Sequence, residues 1–178
     1  MGFAKVFATL GNLSPLQRVA RALGERDAIC VVPTAMLAAA CEQAPAMRII
    51  PNDAPELGMA HSLQMALREI ERDRSAGIVL ADMPFLTSPL LDALESLAAM
   101  PDAEVVYPEN DTGIPGHPVL FSSRARHVLE RLPLGDTIRI ARDDPSLTRR
   151  TLPFAHAGAY TDIDTPEDWE RLVNEDRG

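Results

Sequence analysis

The feature that most constrains this chain is its alternation of short apolar runs with helical segments. Gly77-Ile78-Val79-Leu80 is apolar throughout, and such a run is buried only where both faces of a strand are covered, as in a parallel sheet under helices. Ala28 to Val32, Met47 to Ile50, Glu104 to Tyr107 and Val119 to Phe121 are strand-like in the same way. Between them the apolar spacing turns helical. Ser14-Pro15 predicts the start of a helix over Leu16 to Leu23, with serine as cap, proline in the first turn and Gly24 as stop. Further helices are predicted over Thr34 to Cys41 with a threonine cap, Gly58 to Glu71, Ser88 to Ala99, and from Ser122 or Ser123 to Leu132. Arg149 to Phe154 and Tyr160 to Ile163 complete the strands, and Pro166 to Val173 the helices. The rhythm predicts an α/β fold of three layers with a mostly parallel sheet.

Composition narrows the partners. A length of 178 residues bounds the chain to one domain, residues 1–178, and 46% hydrophobic residues exclude a disordered polymer. A net charge of -9 argues against a nucleic-acid binder working by phosphate neutralisation. No apolar run is long enough to span a membrane, and no basic start with an apolar core marks a signal peptide, so a cytoplasmic location is expected. Cys30 and Cys41 lack metal or disulfide spacing and read as a strand thiol and a helical thiol. Lys5 is the single lysine among seventeen basic residues.

In open α/β sheets ligands bind at the carboxyl ends of strands, which selects a short set of side chains. Asp82 follows the Gly77 to Leu80 run, where a carboxylate holds a divalent cation against a phosphate or caps the next turn. In Asp162-Ile163-Asp164-Thr165-Pro166, the residues from Asp164 onward suit a helix start, whereas Asp162 precedes the cap and has no capping role. Gly58-Met59-Ala60-His61-Ser62 opens the long helix, where free N–H groups suit a phosphate and where glycine also serves its own backbone angles. His61 reads as solvated. His117, in the loop Asn110 to His117, reads equally as a substrate contact or a surface histidine, and that loop is the best candidate for a mobile one. No G-x-S-x-G, G-x-G-x-x-G or G-K-[ST] occurs, which removes the hydrolase elbow and the common dinucleotide and P-loop signatures.

Taken in order, these segments resemble the MobA-like nucleotidyltransferases, and most closely the cytidylyltransferases acting on molybdopterin. Met1-Gly2-Phe3-Ala4-Lys5 matches the end of L-A-A-G-x-S-x-R-M-G-x-x-K, and Asn52 with Gly58-Met59-Ala60-His61-Ser62-Leu63 matches N-x-x-x-x-x-G-M-x-x-S-L. Ala81-Asp82-Met83-Pro84 is similar to G-D-M-P, Gly116-His117-Pro118-Val119-Leu120-Phe121 to G-x-P-V-L-F, and Asp162 to Asp168 to D-I-D-T-P-E-D. The resemblance implies a three-layer Rossmann-like fold and a reaction. A terminal phosphate oxygen of the acceptor attacks the α-phosphorus of a nucleoside triphosphate, the bond to the β-phosphate breaks, and pyrophosphate leaves. It implies Lys5 and Asp82 as catalytic residues, Lys5 on phosphate and Asp82 on Mg2+, with Asp162 as second metal carboxylate. Gly58, Met59 and Ser62 would line the nucleotide pocket, with Asn52 near it and His117 toward the acceptor. The implied substrates are CTP, or GTP, and a phosphorylated acceptor such as molybdopterin, with a molybdoenzyme or chaperone as partner.

The chain departs from the pattern at three places. The L-A-A-G-x-S-x-R part is absent with its strand, for which Val6 to Leu10 is the available replacement. Ala81 replaces the glycine before the aspartate. Gly135-Asp136-Thr137-Ile138-Arg139-Ile140 stands in place of G-D-x-G-A-R, with Arg139 or Arg142 as substitute arginines. An active enzyme is therefore expected to have coding sequence upstream of Met1, or to supply the loop differently. The alternative is a degenerate relative that binds nucleotide, or a molybdenum-cofactor protein, without turnover.

Overall fold

A computed structural model describes residues 3–9, 12–154, 159–160 and 168. The predicted strand and helix at 160–163 and 166–173 lie almost wholly outside them, and so does Asp162. The helices are α1 (Pro15–Leu23), α2 (Leu37–Gln43), α3 (Gly58–Arg68), α4 (Ser88–Ala98), α5 (Arg126–Glu130) and α6 (Ile138–Arg142). The strands are β1 (Ile29–Pro33), β2 (Arg48–Asn52), β3 (Ala76–Ile78), β4 (Val105–Glu109), β5 (Val119–Phe121) and β6 (Arg149–Pro153).

Among the described residues the strands form two sheets, a parallel pair β1-β2 and a four-stranded sheet in the order β3-β5-β4-β6. β4 and β6 are parallel, and β5 alone runs against its neighbours β3 and β4. Alternate residues of the larger sheet serve opposite faces. Val105, Tyr107, Val119 and Phe121 pack with Leu63 and Leu67 of α3 and Leu129 of α5. Val106 joins Leu90, Leu91 and Leu94 of α4 and Val19 of α1. That is the three-layer α/β arrangement the periodicity predicts.

Several element ends differ from the sequence reading for identifiable reasons. β3 stops at Ile78 rather than Leu80, because its partner in register next presents Pro118, which has no N–H to give to the ladder. Thr34 caps no α-helix; it opens a 3-10 turn, Thr34–Met36, and its hydroxyl donates to Asp53. The helix after Ser122 is shorter than expected, with Ser122 holding a turn ahead of Arg126. α6 was not expected at all. Val6 to Leu10 does not replace the missing strand, since Phe3–Phe7 is a 3-10 turn and Leu10 lies outside the described residues.

The amino-terminal turn is held by a side-chain relay. Ser14 and Gln17 form a full capping box at the start of α1. The Ser14 hydroxyl donates to Gln43 Oε1 at 2.6 Å, and Gln43 Nε2 donates to the Phe7 carbonyl at 3.2 Å. This relay joins α1 and α2 to the segment carrying Lys5.

Candidate active site

Lys5 reaches Asp82 from that turn, with Nζ 2.9 Å from Oδ2 and little of either side chain exposed. Asp82 lies in the loop beyond β3, followed by the buried Met83 and Pro84, which anchor it to the body of the fold. A compact ammonium beside a carboxylate, both largely shielded from water, makes a stronger local field than an exposed pair.

The pair borders a cavity of about 500 Å³ whose rim also includes Gly58, Met59 and Ser62 at the start of α3. Lys5, Asp82, Gly58, Met59 and Ser62 are thus gathered at one place. Gly58 has φ 83°, a conformation strained for other residues, and abuts Gly135. Met59 is 41% exposed and is no core residue.

Asn52 sits behind this wall. It is buried, donates from Nδ2 to Ser62 Oγ at 3.1 Å, and accepts from the Ala54 N–H at 2.9 Å. Its fixed amide orients Ser62 and the loop leading into α3, so Asn52 is a positioning residue in this arrangement.

His117 lies outside the cavity wall, and it is no freely solvated surface histidine. Burial pushes its imidazole below the ordinary value, while a hydrogen bond to the Ile78 backbone and the Asp82 charge pull the other way. The Arg142 charge adds to the lowering. His117 therefore faces the Asp82 side of β3 as a neutral imidazole at pH 7, and its Nδ1 has no hydrogen-bond partner among the described residues. His61, expected to be solvated, likewise has a buried Nδ1 with no partner among the described residues. The loop before His117 is fastened by Asn110, whose Oδ1 accepts from the Thr112 and Ile114 N–H groups. Its tip, 111–114, is exposed.

Sequence reasoning missed Arg126, and it offered Arg142 only as a substitute arginine. Arg126 is buried and donates to the carbonyls of Leu67, Ile70 and Glu71, closing the carboxyl end of α3. Arg142 lies over the Tyr107 ring at 5.4 Å from its centroid and pairs with Asp143 at 2.8 Å. A helix end searched for its own carbonyl partners would have suggested a distant arginine, but not which one.

The sequence pattern of the MobA-like NTP transferase domain matches residues 1–149. The chain belongs to this family. Solved structures share its fold. Rv0371c from Mycobacterium tuberculosis, in complex with manganese, superposes with a TM-score of 0.77 at 22% identity, over 96% of this chain and 91% of that one. Molybdopterin-guanine dinucleotide biosynthesis protein A from Archaeoglobus fulgidus gives 0.72 at 19% identity, over 99% and 92%. The 2-C-methyl-D-erythritol 4-phosphate cytidylyltransferase from Thermus thermophilus gives 0.72 at 12%, over 98% and 94%. No curated protein sequence matches significantly. No helix among the described residues is long and apolar enough to cross a membrane.

Proposed function

We propose that this chain transfers a nucleoside monophosphate from a nucleoside triphosphate to a phosphorylated acceptor, with CTP preferred over GTP and a molybdopterin-like phosphate as acceptor. The observation that carries the reading is the Lys5–Asp82 pair at 2.9 Å on the rim of a cavity shared with Gly58, Met59 and Ser62. A lysine and a carboxylate cannot hold each other and a triphosphate in the same way. When the nucleotide enters, the Lys5 ammonium turns to phosphate oxygens and the Asp82 carboxylate is left to accept a cation.

The donor set fits a divalent ion that arrives with its nucleotide. Among the described residues no three His, Cys, Asp or Glu side chains gather as a resident metal cluster, and magnesium is commonly held by one or two carboxylates plus substrate phosphates. Asp82 would hold it, with Asp162 proposed as the second carboxylate, and the bound ion would neutralise the charge gathering on the phosphates. The manganese complex of the fold relative Rv0371c agrees with a divalent ion. Lys5 steadies the leaving pyrophosphate, Ser62 and the N–H groups at the start of α3 orient the nucleotide, and His117 supports the acceptor side. No side chain needs to act as nucleophile.

Replacing Asp82 by Ala is expected to lower magnesium-dependent pyrophosphate release by about a hundredfold to a thousandfold, the scale of losing a main electrostatic contact. The thermal midpoint should stay near that of the parent. Near-full turnover in the variant sinks the assignment. Lys5→Ala is expected to weaken triphosphate binding about tenfold or more, the scale of a charged hydrogen bond, and to spare the parent nucleoside. Equal losses for both ligands would point to misfolding. A second reading, nucleotide binding without turnover, draws on the same ion pair, which satisfies itself at short range. Calorimetric CTP binding with no pyrophosphate release would select it.

A further inference from the structure

Among the described glycines, Gly116 alone has no room for a side chain. A Cβ there would lie 2.5 Å from the Ala159 carbonyl oxygen and 2.6 Å from Cε1 of Tyr160. Its φ is not positive, so the position requires space rather than a left-handed backbone.

That space is occupied by a clamp. The His117 N–H donates to the Ala159 carbonyl at 2.9 Å, and the Gly116 N–H donates to the Pro108 carbonyl at 2.8 Å. Ala159 is buried with Leu90 of α4 and Val106 of β4. The Tyr160 hydroxyl donates to the Phe154 carbonyl, just past β6, at 2.7 Å. The backbone at 116–117 is therefore gripped between the end of β4 and a piece of chain that is itself anchored in the core and to the end of β6.

This clamp, more than the ring's own bonding, decides where His117 sits. The imidazole hydrogen-bonds the Ile78 backbone at the end of β3 and feels the Asp82 charge. Its buried Nδ1 nevertheless has no partner among the described residues. Leaving a buried polar atom unpaired costs more than an ordinary hydrogen bond returns. A ring free to choose would turn Nδ1 to a partner or to water, so the backbone holds it in place against that cost.

We propose that Gly116 is a positioning residue for the acceptor: by admitting the Ala159 carbonyl and the Tyr160 ring against its α-carbon, it fixes His117 beside Asp82 with Nδ1 kept open for a polar group of the acceptor. The inference rests on the acceptor-side role proposed above for His117. It predicts that one methyl group at position 116 harms the acceptor and spares the nucleotide.

The test compares Gly116→Ala with Gly77→Ala, where a Cβ would meet nothing nearer than the Leu120 side chain at 3.7 Å. Pyrophosphate release is followed with CTP and molybdopterin varied separately, CTP binding with magnesium by calorimetry, and the histidine rings by nitrogen-proton NMR without ligand. Gly116→Ala should raise the molybdopterin KM about tenfold or more, the scale of a slightly misplaced binding group. Its affinity for CTP should stay within about twofold of the parent, which separates the two binding steps. The His117 ring signals should move while those of His127 stay. Adding Tyr160→Ala removes the ring contacts and should return part of the acceptor KM, whereas two independent packing losses would add. Gly77→Ala should change none of these readouts. Unmoved His117 signals, equal losses for CTP and molybdopterin, or the same losses in Gly77→Ala would each overturn the proposal. A parent that transfers nothing from either CTP or GTP would overturn the transfer reading and the acceptor role with it. A working parent whose Gly116→Ala variant keeps its acceptor KM would overturn this inference alone.

Discussion

The two sheets of this molecule are built from similar residues and packed very differently. In the four-stranded sheet Val105, Val119 and Phe121 are fully buried, with helices on both faces and strands on both edges of β4 and β5. In the two-stranded sheet Ile29, Cys30 and Val31, equally apolar, are only half-buried; among the described residues β1 pairs along one edge alone, and all three line the cavity of about 500 Å³. Apolar sequence therefore does not by itself yield a packed strand; a neighbour on each edge does. The candidate site sits where the two regimes adjoin, with Asp82 anchored by the packed body and Lys5 carried by the amino-terminal turn that the Ser14–Gln43 relay holds.

The contrast is open to a direct break. Phe121→Ala removes a ring from the closed region and should cost about 3–5 kcal/mol, whereas Val31→Ala in the seam should cost about 1 kcal/mol, the scale of a half-buried side chain. Urea unfolding of both variants measures this. Equal losses would mean that β1 is as tightly packed as β4, and the contrast would fail.

A smaller effect sharpens the same boundary chemically. Burial pushes the Cys30 thiol up to about 11 even though β1 has one strand neighbour among the described residues, while Cys41 is exposed on α2. The thiolate is the reactive form, so at pH 8 Cys30 should alkylate about a hundredfold more slowly than an ordinary exposed thiol. Cys41 serves as internal reference, and peptide mapping after timed iodoacetamide treatment reads both. Comparable rates would show that the cavity beside β1 admits solvent freely to Cys30.

Much of this architecture is legible in the sequence because it depends on local chemistry. Ser14-Pro15-Leu16-Gln17 specifies a capped helix start without help from elsewhere, and the apolar runs at Val105 and Val119 form strands because both faces are covered. Asp82, Gly58 and Ser62 stand out because they follow or begin such elements, and they do share a cavity rim. What is not legible depends on distant partners. Asn52 is placed near the pocket by its motif, but its grip on Ser62 needs the turn of chain between them. Arg126 on the end of α3 joins residues 55 or more positions apart. The early end of β3 follows from Pro118 in another strand's approach, and the gap between the sheets from strand neighbours that no local pattern encodes.

The smallest expected effect lies at His117, which lies alongside the end of β3 at the same boundary. Its folded-state value is lowered, chiefly by burial, below the unfolded value of about 6.5. The unfolded chain therefore binds the proton more readily, so stability is fully present above about pH 6.5 and falls as pH drops through the interval below it. A single proton sets the ceiling on that slope at about 1.4 kcal/mol per pH unit. Unfolding midpoints taken from pH 8 to pH 5 should be flat at first and then decline, and His117→Gln should remove the part of the decline between about pH 6.5 and pH 5. Carboxylate protonation belongs to still lower pH, so it does not imitate this window. A variant whose profile overlays the parent would show that the imidazole is solvated at the boundary, and that the packed region ends before His117 rather than beyond it.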